Sequence, residues 1–284
     1  MIKQLTIFGV GLIGGSLALA LKKAGYCQQV VGCSRCAEHL QRAVDLGVID
    51  SYTLDPAAAV KGADMILVAV PMGAMQRVFA SIADHIEANT VITDAGSAKA
   101  SVVAAAKVAF GEVPRQFVPA HPIAGREKSS VDAAVDDLYN NHKVILTPLK
   151  KTNPDAVQRV REMWQMAGAE VESLGIEQHD TVLAATSHLP HILAFSFVNT
   201  LAESVESEKI FRYVAGGFKD FSRIASSDPV MWRDICLENK EAILSALKDY
   251  QQNLSDLAEL ITDEDGDALY KTFAQAKTER DRHI

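Results

Sequence analysis

The sequence has few cysteines, no basic excess and no long uninterrupted apolar run. Its four cysteines, at positions 27, 33, 36 and 236 of 284 residues, are too few and too unevenly spaced for a disulfide framework. This pattern is typical of a reducing compartment, so we expect a cytoplasmic protein. Cys33 and Cys36 form a C-x-x-C, but no second cluster at zinc-ligand spacing accompanies them, and we expect no metal.

The charge balance is acidic, with 28 Lys+Arg against 36 Asp+Glu and a net charge of −8. Proteins that bind nucleic-acid phosphates usually carry a basic excess, so we expect no nucleic-acid partner. No stretch reaches the ~18–20 uninterrupted apolar residues of a membrane span. The apolar N-terminal segment is interrupted by glycines and continues into Lys22 and Lys23, unlike a signal peptide. We therefore expect no membrane partner.

The first half alternates short apolar runs with helical stretches. A hydrophobic fraction of 48% indicates a large core, and at ~100–200 residues per domain the length predicts two domains. The predicted strands are residues 4–9, 29–33, 65–70, 90–94, 116–119 and 143–147, and the predicted helices are 16–24, 37–46, 75–85 and 99–110. This alternation predicts an α/β fold with a Rossmann-like, doubly wound parallel sheet.

The second half is predicted to be helical. A helix at 155–167 and a last strand at 170–174 precede long stretches of helical periodicity at 177–201, 229–261 and 268–280, joined by an acidic connection at 262–266. Several helix faces are too apolar to be left in water, which indicates helix bundling between subunits. We therefore predict a dinucleotide-binding domain at 1–175 and an all-helical dimerisation and substrate domain at 176–284, in a homodimer.

A glycine motif lies between the first predicted strand and helix. It fits G-x-G-x-x-G, with Gly9, Gly11 and Gly14 as the glycines and Leu12 and Ile13 before the last. Such glycines allow a tight turn, close approach of a pyrophosphate and close helix packing, and the helix N-terminus offers N–H groups to the anion. The motif in this setting predicts dinucleotide binding.

The end of the second predicted strand bears on which dinucleotide binds. An NAD site usually has an acidic residue there for the ribose hydroxyl, whereas this sequence has Ser34 and Arg35. Arginine and serine suit a 2′-phosphate, so we predict NADP as the cofactor. NAD remains possible if Arg35 is merely solvated or stacks on adenine.

Polar clusters follow the fourth and fifth predicted strands. They are Asp94–Lys99 (DAGSAK) and His121–Glu127 (HPIAGRE). In an open parallel sheet, ligands bind outside the carboxyl ends of the strands. We therefore interpret both clusters as functional, with His121 in a loop.

The helical half supplies two more clusters. In Ser187–His191 (SHLPH), the two histidines share a helix face, but no third metal ligand is obvious, and we expect helix capping by one and substrate contact by the other. Lys219, Arg223 and Trp232 stand near a double glycine and indicate an anion pocket.

These motifs together resemble a known family. GVGLIGGS, DAGSAK, HPIAGRE, SHLPH and GGFKDFSR followed by DPVMW are similar, in this order, to the prephenate/arogenate (cyclohexadienyl) dehydrogenases of tyrosine biosynthesis, from residue 5 to about residue 250. The resemblance implies an N-terminal dinucleotide domain and a helical domain that dimerises and contributes to the active site. It also implies oxidative decarboxylation of prephenate to 4-hydroxyphenylpyruvate, with hydride transfer to NAD(P).

The resemblance also implies residue roles. His121 would be the general base that accepts the hydroxyl proton, Ser97 would orient that hydroxyl, and Arg223 would hold the ring carboxylate. The other implied substrate-binding residues are His191, Lys219, Gly216, Trp232 and Arg126. Arg126 departs from some family members, which have small hydroxyl residues there.

Three alternatives stay open at this point. An arogenate dehydrogenase would need an acceptor for the substrate ammonium group, and Arg126 favours prephenate instead. A β-hydroxyacid or imine reductase joins similar domains but gives no reason for HPIAGRE together with SHLPH. A non-catalytic NADP-sensing module would need the glycine motif but not the polar clusters.

Overall fold

The structure is a computed structural model of the chain and describes residues 1–126 and 130–283. The chain forms two compact units, Met1–Lys240 and Glu241–Ile284. The predicted domain boundary after residue 175 stays a prediction.

The first unit begins with a six-stranded parallel sheet. Its strands are β1 (Ile2–Phe8), β2 (Cys27–Cys33), β3 (Ser51–Thr53), β4 (Met65–Val68), β5 (Val91–Asp94) and β6 (Phe117–Val118). The spatial order is β3-β2-β1-β4-β5-β6, and every neighbouring pair is parallel. The order reverses direction between β1 and β4, which is where such sheets bind ligands. This arrangement confirms the predicted fold class.

Six helices accompany these strands and the segment that follows them. They are α1 (Leu12–Lys23), α2 (Ala37–Asp45), α3 (Pro56–Val60), α4 (Met75–Ile82), α5 (Lys99–Phe110) and α6 (Pro154–Met166). Helix α1 begins before the predicted start because Gly14 and Gly15 lie inside its first turn. β3 and α3 were not predicted, since three and five residues are too short to establish a period.

Apolar side chains cover both faces of the sheet. In β4, Met65 and Leu67 join one core cluster while Ile66 and Val68 join the other, because successive side chains of a strand point to opposite faces. All four are completely buried. A strand covered on both faces reads as an unbroken apolar run, as this one does.

Three further strands form a second, smaller sheet. They are β7 (Ala120–Pro122), β8 (Lys143–Leu146) and β9 (Glu170–Ser173), in the order β7-β8-β9. β8 is antiparallel to β7 and parallel to β9, so the expectation that residues 143–147 extend the parallel sheet was wrong. Apolar content predicts a strand but does not identify its partners. His121 accordingly lies in β7 rather than in the predicted loop.

The rest of the chain is helical. After β9 come α7 (Ile176–Leu183), a π-helical turn (Ala184–His188), α8 (Leu189–Ala202), α9 (Ser207–Arg212), α10 (Gly216–Ser222), a 3₁₀ turn (Arg223–Ser226), α11 (Pro229–Glu238), α12 (Lys240–Thr262) and α13 (Gly266–His283). The predicted helical stretch 229–261 contains two helices, α11 and α12, because the backbone leaves helical geometry at Asn239 (φ −114°, ψ 33°). The second unit contains α13 and all of α12 except its first residue.

The helical stretch Ile176–Ala202 is unusually apolar. Among the described residues, it is the one helix long and apolar enough to cross a membrane by length and composition, with a mean hydropathy of 1.4 in its most apolar window. A core helix of a soluble protein also meets these criteria of length and composition. This stretch also carries His179, Asp180 and His188, all of them buried.

Candidate active site

The glycine motif closes tightly on the end of the sheet. Gly9 has φ +91°, and a Cβ there would lie 2.3 Å from the carbonyl oxygen of Ala69, so only glycine fits. A Cβ on Gly14 would lie 2.5 Å from the carbonyl oxygen of Gly9. Gly11 precedes α1 without a side-chain cap, and the first turn, which begins with Leu12 and Ile13, has no acidic residue. The first N–H groups of the helix are therefore suited to an anion.

Ser34 and Arg35 follow β2 beside this turn. Arg35 is exposed, while the half-buried hydroxyl of Ser34 accepts a hydrogen bond from the Cys36 N–H at 3.3 Å. Nε2 of His39, in α2, lies 2.9 Å from the carbonyl oxygen of Val10. This last contact, which was not predicted, joins α2 to the glycine turn.

A buried ion pair stands at the end of β5. Nζ of Lys99 lies 2.5 Å from Oδ2 of Asp94, and both side chains are completely inaccessible. Burial lowers the pKa of Lys99, while Asp94 and Asp180 oppose that shift. Ser97, predicted to orient the substrate hydroxyl, lies half-buried in the connection between these two residues.

The ion pair anchors the strand that carries His121. Lys99 Nζ also donates to the carbonyl oxygen of Ala120 at 2.6 Å, and the N–H of Ala120 donates to Asp94 at 3.1 Å. His121 is therefore held at the carboxyl edge of the parallel sheet, and it is 9% exposed. Its pKa lies well below the ordinary value because of burial first, and then the neighbouring His179, Lys99 and His188. A neutral imidazole at pH 7 is able to accept a proton.

His121 has a polar partner that sequence analysis missed. Its Nδ1 lies 2.9 Å from Nε2 of His179, and Nδ1 of His179 lies 2.7 Å from Oδ1 of Asp180. Both partners sit in α7, within the polar run Glu177–Asp180. In the sequence this run resembles a solvated helix face, so no local signal distinguished His179 and Asp180 as buried residues that require partners.

A second histidine of the helical half is also buried. Nδ1 of His188 lies 3.1 Å from Nδ2 of Asn239, which donates to the carbonyl oxygen of Asp180 at 2.9 Å. Burial is the main cause that lowers the pKa of His188 to about 4. Asn239, absent from the predicted site, thus both ends α11 and supports the histidine cluster.

His191 and Trp232 form a stacked pair. Their ring centroids are 3.8 Å apart with an interplanar angle of 21°, and Nδ1 of His191 lies 2.8 Å from the carbonyl oxygen of Ser187. The Trp232 ring is also 6.1 Å from that of His188. Burial, followed by the nearby positive charge of Arg223, lowers the pKa of His191. The structure therefore brings the rings of His191 and His188 together at Trp232, with Arg223 near His191.

The other predicted substrate residues lie at the surface. Gly216 and Lys219 are exposed in α10, Arg223 is exposed in the following 3₁₀ turn, and Arg126 is exposed after β7. Among the described residues, no hydrogen bond or ion pair joins Arg126, Lys219 or Gly216 to His121. Glu127, the last residue of HPIAGRE, lies outside the described residues.

Known proteins share both halves of this architecture. Residues 17–173 match the family model described as "Prephenate dehydrogenase, nucleotide-binding domain", and residues 176–275 match "Prephenate dehydrogenase, dimerization domain". The cyclohexadienyl dehydrogenase of Zymomonas mobilis is 37% identical over 98% of this chain and 95% of its own length. The prephenate dehydrogenase of Bacillus subtilis is 37% identical over 96% of this chain and 74% of its own length.

Solved structures agree with these matches. The crystal structure of prephenate dehydrogenase from Aquifex aeolicus, in complex with hydroxyphenyl propionate and NAD+, has a TM-score of 0.94 at 37% identity and covers 100% of this chain and 99% of that chain. Arogenate dehydrogenase from Synechocystis has a TM-score of 0.83 at 25% identity, and the match covers 99% of this chain and 100% of that chain. The chain belongs to the prephenate dehydrogenase family.

Proposed function

We propose that this protein is a prephenate dehydrogenase, which converts prephenate to 4-hydroxyphenylpyruvate and carbon dioxide with a nicotinamide dinucleotide as oxidant. The observation that carries the proposal is the position of His121. A buried base, with its pKa lowered, lies at the carboxyl edge of the same sheet whose glycine turn suits a dinucleotide. Family membership supplies the reaction class.

The proposed reaction needs one base. His121 accepts the proton of the ring hydroxyl, which raises the electron density on the hydroxyl-bearing carbon. A bound nicotinamide supplies the acceptor for the hydride from that carbon. The ring carboxylate then leaves as carbon dioxide, its bonding electron pair enters the ring, and the ring becomes aromatic. The proton held by His121 returns to the resulting phenolate oxygen, which restores the base.

Other residues would bind and orient the substrate. Ser97, between β5 and α5, is suited to hold the hydroxyl near His121. We assign the ring carboxylate to Arg223, since a guanidinium matches a carboxylate with two parallel hydrogen bonds. His191 and Trp232 would contact the side-chain end of the substrate, with Lys219, Gly216 and Arg126 at the pocket margin.

The cofactor assignment rests on the residues after β2. The glycine turn and the uncapped start of α1 fit a pyrophosphate, which supports a nicotinamide dinucleotide. We propose a preference for NADP, because Ser34 and Arg35 occupy the place where an NAD site usually has an acidic residue. Binding of NAD as well is compatible with the exposed position of Arg35.

Prephenate is favoured over arogenate by charge. Arogenate carries an ammonium group that needs an acceptor, whereas Arg126 and Lys219 add positive charge to the predicted pocket. The 37% identical relatives are named for prephenate or cyclohexadienyl substrates, and the arogenate enzyme is 25% identical.

A homodimer is part of the proposal. The second family model is a dimerization domain, and helices in the matched region expose large apolar side chains. Examples are Phe197, Leu244, Leu254, Ile261 and Phe273, which are 41% to 64% exposed. A second copy of the chain would bury such faces.

The test measures four rates. Reduction of NADP and of NAD is followed by absorbance at 340 nm, with prephenate and with arogenate as the substrate. We expect the highest kcat/KM with prephenate and NADP, accompanied by formation of 4-hydroxyphenylpyruvate. Absence of activity with all four pairs would exclude the proposed function, and a higher kcat/KM with arogenate would reassign the substrate.

A further inference from the structure

A line of three side chains leads from His121 into helix α7. Two short contacts, of 2.9 Å and 2.7 Å, join His121 to His179 and His179 to Asp180. His179 is completely buried, and the other two side chains are nearly so. We propose that His179 and Asp180 are positioning residues that hold His121 in the neutral tautomer whose Nε2 is free to accept a proton. The catalytic importance of this tautomer rests on the proposed function.

The donor and acceptor order along the line fixes the tautomer. An ionised carboxylate can only accept, so Nδ1 of His179 donates to Asp180. In a neutral His179 ring, Nε2 then carries the lone pair and can only accept. Nδ1 of His121 must therefore carry the proton that it donates to His179. The remaining nitrogen of His121, Nε2, is left as the base.

The carboxylate of Asp180 is itself held in place. It accepts the N–H groups of Lys99 at 2.7 Å and of Ala100 at 2.9 Å, in the first turn of α5. Burial raises the pKa of Asp180. The hydrogen bonds from His179 and from these two N–H groups together lower it by more, so the net shift is a decrease. The carboxylate therefore stays ionised and keeps its role as the terminal acceptor.

The line also has an electrostatic consequence for turnover. The charged or titratable groups that act on His121 are His179 of α7, Lys99 of α5 and His188 of the π turn. The cation of Lys99 is already paired with Asp94. When His121 gains a proton, Asp180 is thus the anion that opposes its new positive charge through His179, as the aspartate does in a Ser-His-Asp triad.

The first experiment reads the tautomer without any substrate. Ring nitrogen shifts of ¹⁵N-histidine-labelled protein are recorded at pH 7, and the His121→Asn variant identifies the His121 signals. We expect Nδ1 of His121 to be protonated in the unaltered protein and in His179→Gln, whose side-chain oxygen can replace the acceptor. In His179→Leu the acceptor is absent, and the proton should move to Nε2. An Nε2–H tautomer in the unaltered protein, or no change in His179→Leu, would overturn the proposal.

The second experiment separates kcat from KM. We expect His179→Leu to lower kcat at least ~100-fold, as for loss of a positioned base, with KM for prephenate changed less than ~3-fold. His179→Gln should restore kcat to within ~10-fold of the unaltered enzyme, and His85→Gln, at an exposed histidine after α4, serves as the matched control. Equal losses in the Gln and Leu variants would contradict a positioning role.

Asp180→Asn provides a variant that keeps the shape of the side chain. Without the anion, protonated His121 is less stable, so the acid limb of the kcat/KM profile should move to lower pH while the plateau falls. A fall in the plateau with an unmoved limb would indicate a structural role only and would overturn the proposal. This test does not depend on whether the His179→Leu variant folds. Because the NMR arm needs no substrate, its failure is distinguishable from failure of the proposed reaction.

Discussion

The ammonium group of Lys99 and the carboxylate of Asp94 form a 2.5 Å ion pair with no solvent exposure. Each partner has additional hydrogen bonds: Lys99 to the carbonyl oxygen of Ala120, and Asp94 to the N–H groups of Gly96 and Ala120. The pair therefore joins the end of β5, the start of α5 and the strand of His121. Removal of one partner of a buried ion pair is strongly destabilising, because the other charge is then buried without a partner.

Lys99→Met should lower the free energy of unfolding by about 3–5 kcal/mol, because it leaves a buried carboxylate without its cation. The measurement is urea denaturation at pH 7. The double variant Asp94→Asn with Lys99→Met removes both charges and should recover most of the loss. A double variant no more stable than Lys99→Met would show that the cost lies in packing and not in the unpaired charge.

Arg35→Ala should weaken NADP binding by ~1.5–3 kcal/mol and leave NAD binding almost unchanged, because the lost charge-assisted hydrogen bond is to the 2′-phosphate. Calorimetric titration of both cofactors measures this difference. Arg161→Ala is the control, since that side chain donates to the carbonyl oxygen of Val171 and the hydroxyl of Ser173, both in β9. Equal weakening of the two cofactors by Arg35→Ala would remove the reason for an NADP preference.

Acid should destabilise the protein between about pH 6.5 and pH 4. His188 has a folded-state pKa of about 4, below its ordinary value of 6.5, so in this window the unfolded chain binds the extra proton. Stability is therefore full above pH 6.5 and falls as the pH is lowered, by about 3 kcal/mol for this one group. The lowered pKa values of His121 and His191 act in the same direction.

The measurement is the free energy of unfolding by urea from pH 7.5 to pH 4. His188→Asn keeps an acceptor for Asn239 but cannot titrate, so its curve should be flatter by close to one proton. The carboxyl group of Asp180 adds to the loss only below its own ordinary pKa, because its folded-state pKa is lowered. An identical pH slope in the His188→Asn variant would show that His188 is not protonated on unfolding in this window.

The fold was more predictable than the site. The unbroken apolar run of β4 and the glycine turn at Gly9 are local patterns, and both predicted the sheet correctly. The pairing of β8 with β7 depends on contacts between segments separated in sequence, and no local period reports them. For the same reason, His121 was predicted from the sequence, but His179, its hydrogen-bond partner 58 residues away, was not.

His121→Asn should lower kcat by ~10²–10⁴-fold while the KM for prephenate stays within a few-fold, because a positioned base contributes to the transition state rather than to binding. Steady-state rates at 340 nm, measured over a range of prephenate concentrations at saturating cofactor, give the two quantities. Since asparagine retains a polar atom near the position of Nδ1, the contact with His179 can be kept. Nearly unchanged turnover would show that His121 has only a structural role.

Arg223 is the residue that we assign to the ring carboxylate, and two interpretations of it make different predictions. A surface arginine that pairs with a nearby acid such as Asp220 or Asp228 would contribute ~0–1 kcal/mol of stability, and its loss would leave kinetics unchanged. An arginine that holds a largely desolvated carboxylate makes bidentate hydrogen bonds that lysine does not reproduce. Its influence on the pKa of His191 places its charge close to the stacked His191–Trp232 pair.

Under the carboxylate interpretation, Arg223→Ala should raise the KM for prephenate by a factor that corresponds to at least ~2 kcal/mol of binding free energy. Arg223→Lys should raise the KM by a smaller factor. Cofactor affinity and melting temperature should change little in either variant, and Arg212→Ala, at an exposed arginine of α9, is the matched control. Prephenate titrations at saturating cofactor measure the effect. An unchanged KM in Arg223→Ala would move the ring-carboxylate site elsewhere. Lys219 would then be the next residue to replace, because it is a cation in α10, the helix that precedes the turn of Arg223.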